Sequence, residues 1–180
     1  MASTTNDDQG LQALGTQPRG GSTGVSFDWG FALSLTLTGA ASLAGYQIGP
    51  ALPLPVAFGA LVLAAVMVVQ GEALRRGSGL ARRIQIGFHS LLVVLGLATI
   101  FFSVQAFQQG QFDMLYTLGL TLILTLGVSP AEIWLLLQPG SRRWYGNVDP
   151  KEASKRHSGR WLVGTVLWAV VGGVLQAVAP

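Results

Sequence analysis

The sequence predicts an all-α integral membrane protein: a five-transmembrane-helix bundle, amino terminus inside and carboxyl terminus outside. Three observations predict it. Half of the 180 residues are apolar and 11% are charged, against roughly 25% charged in an average soluble domain. The apolar residues fall into five blocks, none containing Lys or Arg. All eleven basic residues lie in segments that alternate spanning places on one side. The absence of cysteine excludes disulfides, thiol catalysis, Cys-ligated zinc and iron–sulfur clusters.

A hydrocarbon core about 30 Å thick needs roughly 20 mostly apolar residues per helix. The spans run approximately over 29–48, 53–69, 84–107, 114–137 and 161–178. Lipid offers the backbone no hydrogen-bond partner, so each is expected to be helical. Residues 1–28 are polar, rich in Gly, Ser, Thr and Gln, and lack a basic leader; they read as a disordered cytoplasmic tail, or as an arm that orders on a partner. Residues 29–180 form the membrane domain.

Between the first two spans, Gly49, Pro50, Pro53 and Pro55 predict a tight turn and an antiparallel hairpin. The connection between the second and third spans carries Arg75, Arg76, Arg82 and Arg83. The one between the fourth and fifth carries Arg142, Arg143, Lys151, Lys155, Arg156 and Arg160. Arg19 falls on the same side, and the positive-inside rule makes that side cytoplasmic. Trp144 beside these cations fits the headgroup belt, with anionic lipid as the basic residues' partner. Nucleic acid is not needed to explain them. Asp149-Pro150 is placed to open a short helix toward Lys155. The expected location is a cytoplasmic (inner) or equivalent energy-converting membrane, with multi-pass topology and no extracytoplasmic domain after Pro180.

The fourth span holds the candidate polar site. Ser129-Pro130-Ala131-Glu132 fits a helix start, with Ser129 as N-cap, Pro130 at the first position and Glu132 completing a capping box. The proline predicts a kink or a break near Ser129-Pro130, and Pro139-Gly140 a stop. Glu132 lies ~8 Å from the Leu137 end; His89 of the third span lies at similar depth. The two are candidates for a proton relay or a small-cation site, or for separate structural roles, Glu132 as a cap and His89 on a carbonyl. Thr117, Thr121, Thr125 and Ser129, spaced by four, line one helix face; Ser34, Thr38 and Ser42 do so in the first span. Such hydroxyls line a polar path or bond back to their own helix.

Small residues recur at four-residue spacing in the first span (Ala41, Gly45, Gly49) and in the last (Ala169, Gly173, Ala177). They let helices approach closely, within the chain, in a homo-oligomer or against other membrane subunits. No cofactor is predicted; a single axial bond from His89 to a haem or chlorin is left open. Metal-protease and phosphate-loop motifs are missing. The expectation is a non-enzymatic subunit supporting a larger cytoplasmic-membrane complex. The alternative is a small channel or carrier for protons, ions or a small solute using Glu132 and His89, and a third reading is a holin-like protein.

Overall fold

A computed structural model describes residues 17–46, 48, 52–155 and 157–178, except the side chains of residues 19, 113, 116, 117, 154, 176 and 178. Among the described residues every regular element is helical. They are α1 (Arg19–Leu43), α2 (Leu54–Arg75), α3 (Gly79–Gln108), α4 (Phe112–Leu122), a π-helical segment (Ile123–Val128), α5 (Ser129–Leu137), α6 (Pro139–Asn147), α7 (Pro150–Lys155) and α8 (Gly159–Val178). Three stretches among the described residues are long and apolar enough to cross a membrane: Leu54–Arg75, Gly79–Gln108 and Leu118–Leu137.

Helix α1 starts at Arg19, not at Trp29, so residues 19–28, expected in a disordered tail, are helical. Val25 and Asp28 are buried, which explains why this stretch needs no apolar run of its own: neighbouring helices cover it. Residues 1–16 of the expected tail lie outside the described residues. At its other end α1 stops at Leu43, and Gly45 takes φ 77°. The Tyr46 amide donates to the Ala41 carbonyl at 2.8 Å, a glycine-terminated helix end. Gly45 is therefore a turn residue and not part of a helical packing stripe. Gly49 lies outside the described residues.

Helix α2 begins after Pro53 and runs on to Arg75, where Glu72 pairs with Arg75 at 2.7 Å and with Arg76 at 2.6 Å. Gly77 (φ 79°) turns the chain into α3, whose first turn is capped by Ser78 accepting from the Ala81 amide at 3.2 Å. The stretch expected as the fourth span is continuous helix, neither broken nor capped at Ser129. Val128 and Ser129 both have α-helical backbone angles, and a π-helical segment ends at Val128, two residues before Pro130. A proline ring clashes with the carbonyl four residues back; the wider turn relieves that clash without ending the helix. Leu137 ends α5, and Pro139 opens α6 rather than serving only as a stop. Asp149 accepts from the Lys151 amide at 2.8 Å, opening α7 as its sequence predicts.

Helix α1 sits at the centre, between α2 and α8, with α5 against its first half; α3 packs on α4, the π-helical segment and α5. The crossing of α1 with α8 is close because glycines face each other's backbones. A Cβ on Gly30 would stand 2.9 Å from the Ala169 carbonyl, and one on Gly173 would stand 2.5 Å from the Gly30 carbonyl. Ala169, Gly173 and Ala177 are buried, so the small-residue stripe of α8 is used inside the chain. Ala41 is buried as well.

The sizes of buried and exposed residues run opposite to those of a water-soluble bundle. Alanines 32, 57, 60, 64 and 169 are buried, while Val62, Phe101, Phe107, Val163 and Trp168 are exposed. Apolar surface this extensive would drive aggregation in water and is ordinary against lipid. The larger buried apolar cluster lies at the end bearing the basic connections. There Trp144, Tyr145 and Val148 fold beneath Val25, Leu74, Ala81 and Leu136. Trp144 is 1% exposed and meets Tyr145 edge-on at 5.0 Å, so it plugs the bundle instead of lying among headgroups.

Candidate functional site

Just inside that plug, α1, α3 and α5 bring five polar side chains together: Asp28, Gln85, His89, Ser129 and Glu132, each at most 1% exposed. Helical spacing accounts for their convergence. Gln85 and His89 are four apart on α3, and Ser129 and Glu132 three apart on α5, so each pair shares a face. Asp28 follows Gly24 by four on α1, and Gly24 makes the room: a Cβ there would stand 2.7 Å from Leu74 Cδ2 and 2.8 Å from Glu132 Oε1.

The hydrogen bonds form one directed chain. Gln70 Nε2 donates to Gln85 Oε1 at 3.3 Å, and Gln85 Nε2 donates to Asp28 Oδ1 at 2.9 Å. Gln85 Nε2 also lies 3.3 Å from His89 Nε2, and His89 Nδ1 lies 3.0 Å from Ser129 Oγ. The Ser129 hydroxyl donates to the Leu124 carbonyl at 3.0 Å. A hydroxyl has one proton, already given to Leu124, so His89 must donate Nδ1–H to Ser129. His89 Nε2 is then the acceptor of the second Gln85 amide proton. The tautomer is thus assigned by the network. Phe27 closes over the imidazole at 4.8 Å.

The carboxyl groups are less well served. Among the described residues Asp28 Oδ2 and both Glu132 oxygens are buried without a hydrogen-bond partner. A buried, unpaired carboxylate is costly, so this region carries unmet polar demand.

Glu132 and His89 therefore do come to one buried core, with no hydrogen bond between them: His89 is bonded to Ser129, one turn before Glu132 on α5. Both imidazole nitrogens are engaged, so axial ligation of a haem or chlorin would first have to displace Gln85 or Ser129. Hydroxyls of both stripes bond back to their own helices. Thr125 donates to the Thr121 carbonyl at 2.7 Å and packs on Gly96 of α3, and Thr38 donates to the Ser34 carbonyl at 2.9 Å. The Thr117 side chain lies outside the described residues. Among the cations, Arg82 donates to the Leu136 carbonyl at 2.9 Å and Lys155 pairs with Glu152 at 2.9 Å. Arg83, Arg142, Arg143 and Arg160 are exposed, and Arg156 lies outside the described residues. His157, packed at the same end, lies 3.0 Å from the Arg75 carbonyl through Nε2. Burial holds its imidazole below the ordinary range, so near neutral pH Nε2–H donates to that carbonyl.

Asp28 and Gln85 were missed by sequence reasoning. The available signals were the Gly24/Asp28 and Gln85/His89 spacings, each of which puts a polar group on a face shared with a glycine or a histidine.

A cleft of about 630 Å³ separates α2 from α3, lined by Val62, Val66, Met67, Ile84 and Phe88, with Gln70 and Gln85 at its basic end. The polar chain thus touches a lateral opening at Gln85. Comparison with known proteins returns no match to a protein family, a curated protein or a solved structure.

Proposed function

We propose that this chain is a non-enzymatic, five-span membrane protein, amino terminus inside and carboxyl terminus outside, that binds and passes protons through Asp28, His89 and Glu132. The supporting observation is the convergence of three ionisable side chains in the bundle interior, with buried carboxyl oxygens lacking partners and His89 linked to Asp28 through Gln85. Ionisable groups inside a membrane are costly and characteristically mark relays and ion pathways. The subunit reading drew on small-residue faces, and that of α8 is occupied by α1 within the chain. α1 and α8 supply the two spans beyond the three long apolar stretches, and the single basic end sets the orientation.

Two experiments test this. Reporters fused to the two chain ends are expected to signal from opposite sides of the membrane; signals from one side remove the five-span topology. Purified protein in vesicles enclosing a pH-sensitive dye, with a potassium diffusion potential imposed, is expected to pass protons. Asp28→Asn and Glu132→Gln should each slow the flux about a hundredfold or more, the order expected when a positioned proton-transfer group is removed. Wild-type flux in the double variant would refute the relay.

A further inference from the structure

The two carboxyls of the cluster are held differently, and the difference assigns them separate tasks. We infer that Glu132 is the group at which one exchangeable proton binds, and that Asp28 keeps its negative charge more readily. The inference deepens the proton-transfer reading, yet concerns an equilibrium site that exists whether or not protons cross the bilayer.

Asp28 receives a hydrogen bond from Gln85 Nε2 at 2.9 Å, and that amide is itself held in place by Gln70 and His89. A donor fixed on a carboxyl oxygen favours its charged form. Glu132 has no side-chain donor among the described residues; Oε1 and Oε2 are both buried, and the Gly24 backbone beside them offers only a weaker contact. Of two carboxyls in one dry pocket, the proton goes to the one without a side-chain donor, because two neighbouring anions repel strongly at low dielectric.

The surrounding charged and titratable groups do not change that assignment. On α3, Arg82 is committed to the Leu136 carbonyl, and His89 is a neutral imidazole bonded to Ser129 and Gln85. On α6, the Tyr145 hydroxyl accepts from Gln17 at 3.0 Å. From α2, Leu74 presents a methyl group at the Gly24 gap, and Glu72 is paired with Arg75 and Arg76.

The same gap selects the ligand. At Gly24 the packing is already tighter than a methyl group tolerates, with Leu74 Cδ2 and Glu132 Oε1 both inside 3 Å of the Cβ position and Gln85 Nε2 at 3.6 Å. A sodium or larger ion would need several oxygens arranged about an open centre. A proton needs only one oxygen: it adds to the Glu132 carboxylate to give the neutral acid, and leaves by the reverse step to water or to a neighbouring acceptor.

Infrared spectroscopy of the reconstituted full-length protein tests the assignment. At neutral pH a protonated-carboxyl C=O band is expected that shifts down in D₂O. It should move when glutamate side chains carry ¹³C and stay in place when aspartates do, a comparison that needs no substitution. It should vanish in Glu132→Gln and persist in Asp28→Asn, with circular dichroism confirming helix content in both. A band absent from the wild type, surviving Glu132→Gln or moving with labelled aspartate overturns the inference. Vesicles that pass no protons overturn the transport reading and leave the band in place, so the two failures are told apart.

Discussion

Gly173→Ala is expected to destabilise the protein by ~2–3 kcal/mol, the upper range for overpacking a filled interior. The added methyl would stand 2.5 Å from the Gly30 carbonyl oxygen and 3.0 Å from Leu33 Cβ. Retreat along the helix offers no relief, since Gly30 itself has only 2.9 Å between its Cβ position and the Ala169 carbonyl. Helix α8 must therefore move off α1 as a body. The adjacent Gly172→Ala is the control: nothing lies within 4 Å of its Cβ position, and alanine improves intrinsic helix preference by up to ~1 kcal/mol. Opposite signs are thus expected for two neighbouring glycines, read by detergent-titrated unfolding followed by circular dichroism. Equal effects would show that α8 does not pack on α1 through Gly173.

The second large effect is expected at the plug. Trp144→Ala should cost ~3–5 kcal/mol, the usual range for emptying a buried aromatic site. The indole is 1% exposed, meets Tyr145 edge-on, and lies 3.1 Å from the Cβ position of Gly77 through Cζ3. Its Nε1 is buried without a partner, so Trp144→Phe sacrifices volume but no hydrogen bond and should cost less than half as much. Amide exchange in α6 is expected to quicken in the alanine variant well before the rest of the bundle opens. An alanine variant as stable as the wild type would place Trp144 at the headgroups after all.

Much of the chain's architecture was legible because its signals are local. Apolar length marked α2, α3 and the α4–α5 stretch, and Asp149-Pro150 marked the start of α7. Pro130 marked a disturbance in the Leu118–Leu137 stretch, but its form depended on neighbours. Ser129 is engaged by His89 of α3 and by the Leu124 carbonyl, so it is helical and cannot serve as the cap that its spacing suggested. The start of α1 was hidden for a related reason. Residues 19–28 have no apolar run, since α2, α5 and α6 shield them, and hydropathy registers only what must face lipid.

The candidate site divides along the same line. Glu132 and His89 stood out as ionisable residues inside apolar stretches, a property of each segment alone. Asp28 and Gln85 did not, one falling just outside an apolar block and the other just inside one, and only the meeting of α1 with α3 gives them a shared purpose. Trp144 looked like a headgroup residue because it neighbours arginines in sequence; the fold of α6 beneath the bundle buries it.

By itself the sequence determined the all-helical class, the apolar segments and the gathering of basic residues at one end, because hydropathy and hydrogen-bond demand act within each segment. Tertiary structure alone decided which helix faces meet, and so that Gly24, Asp28, Gln85, Ser129 and Glu132 share one pocket. Such contacts depend on the rotation and crossing of separate helices, which residue spacing along any one of them does not encode.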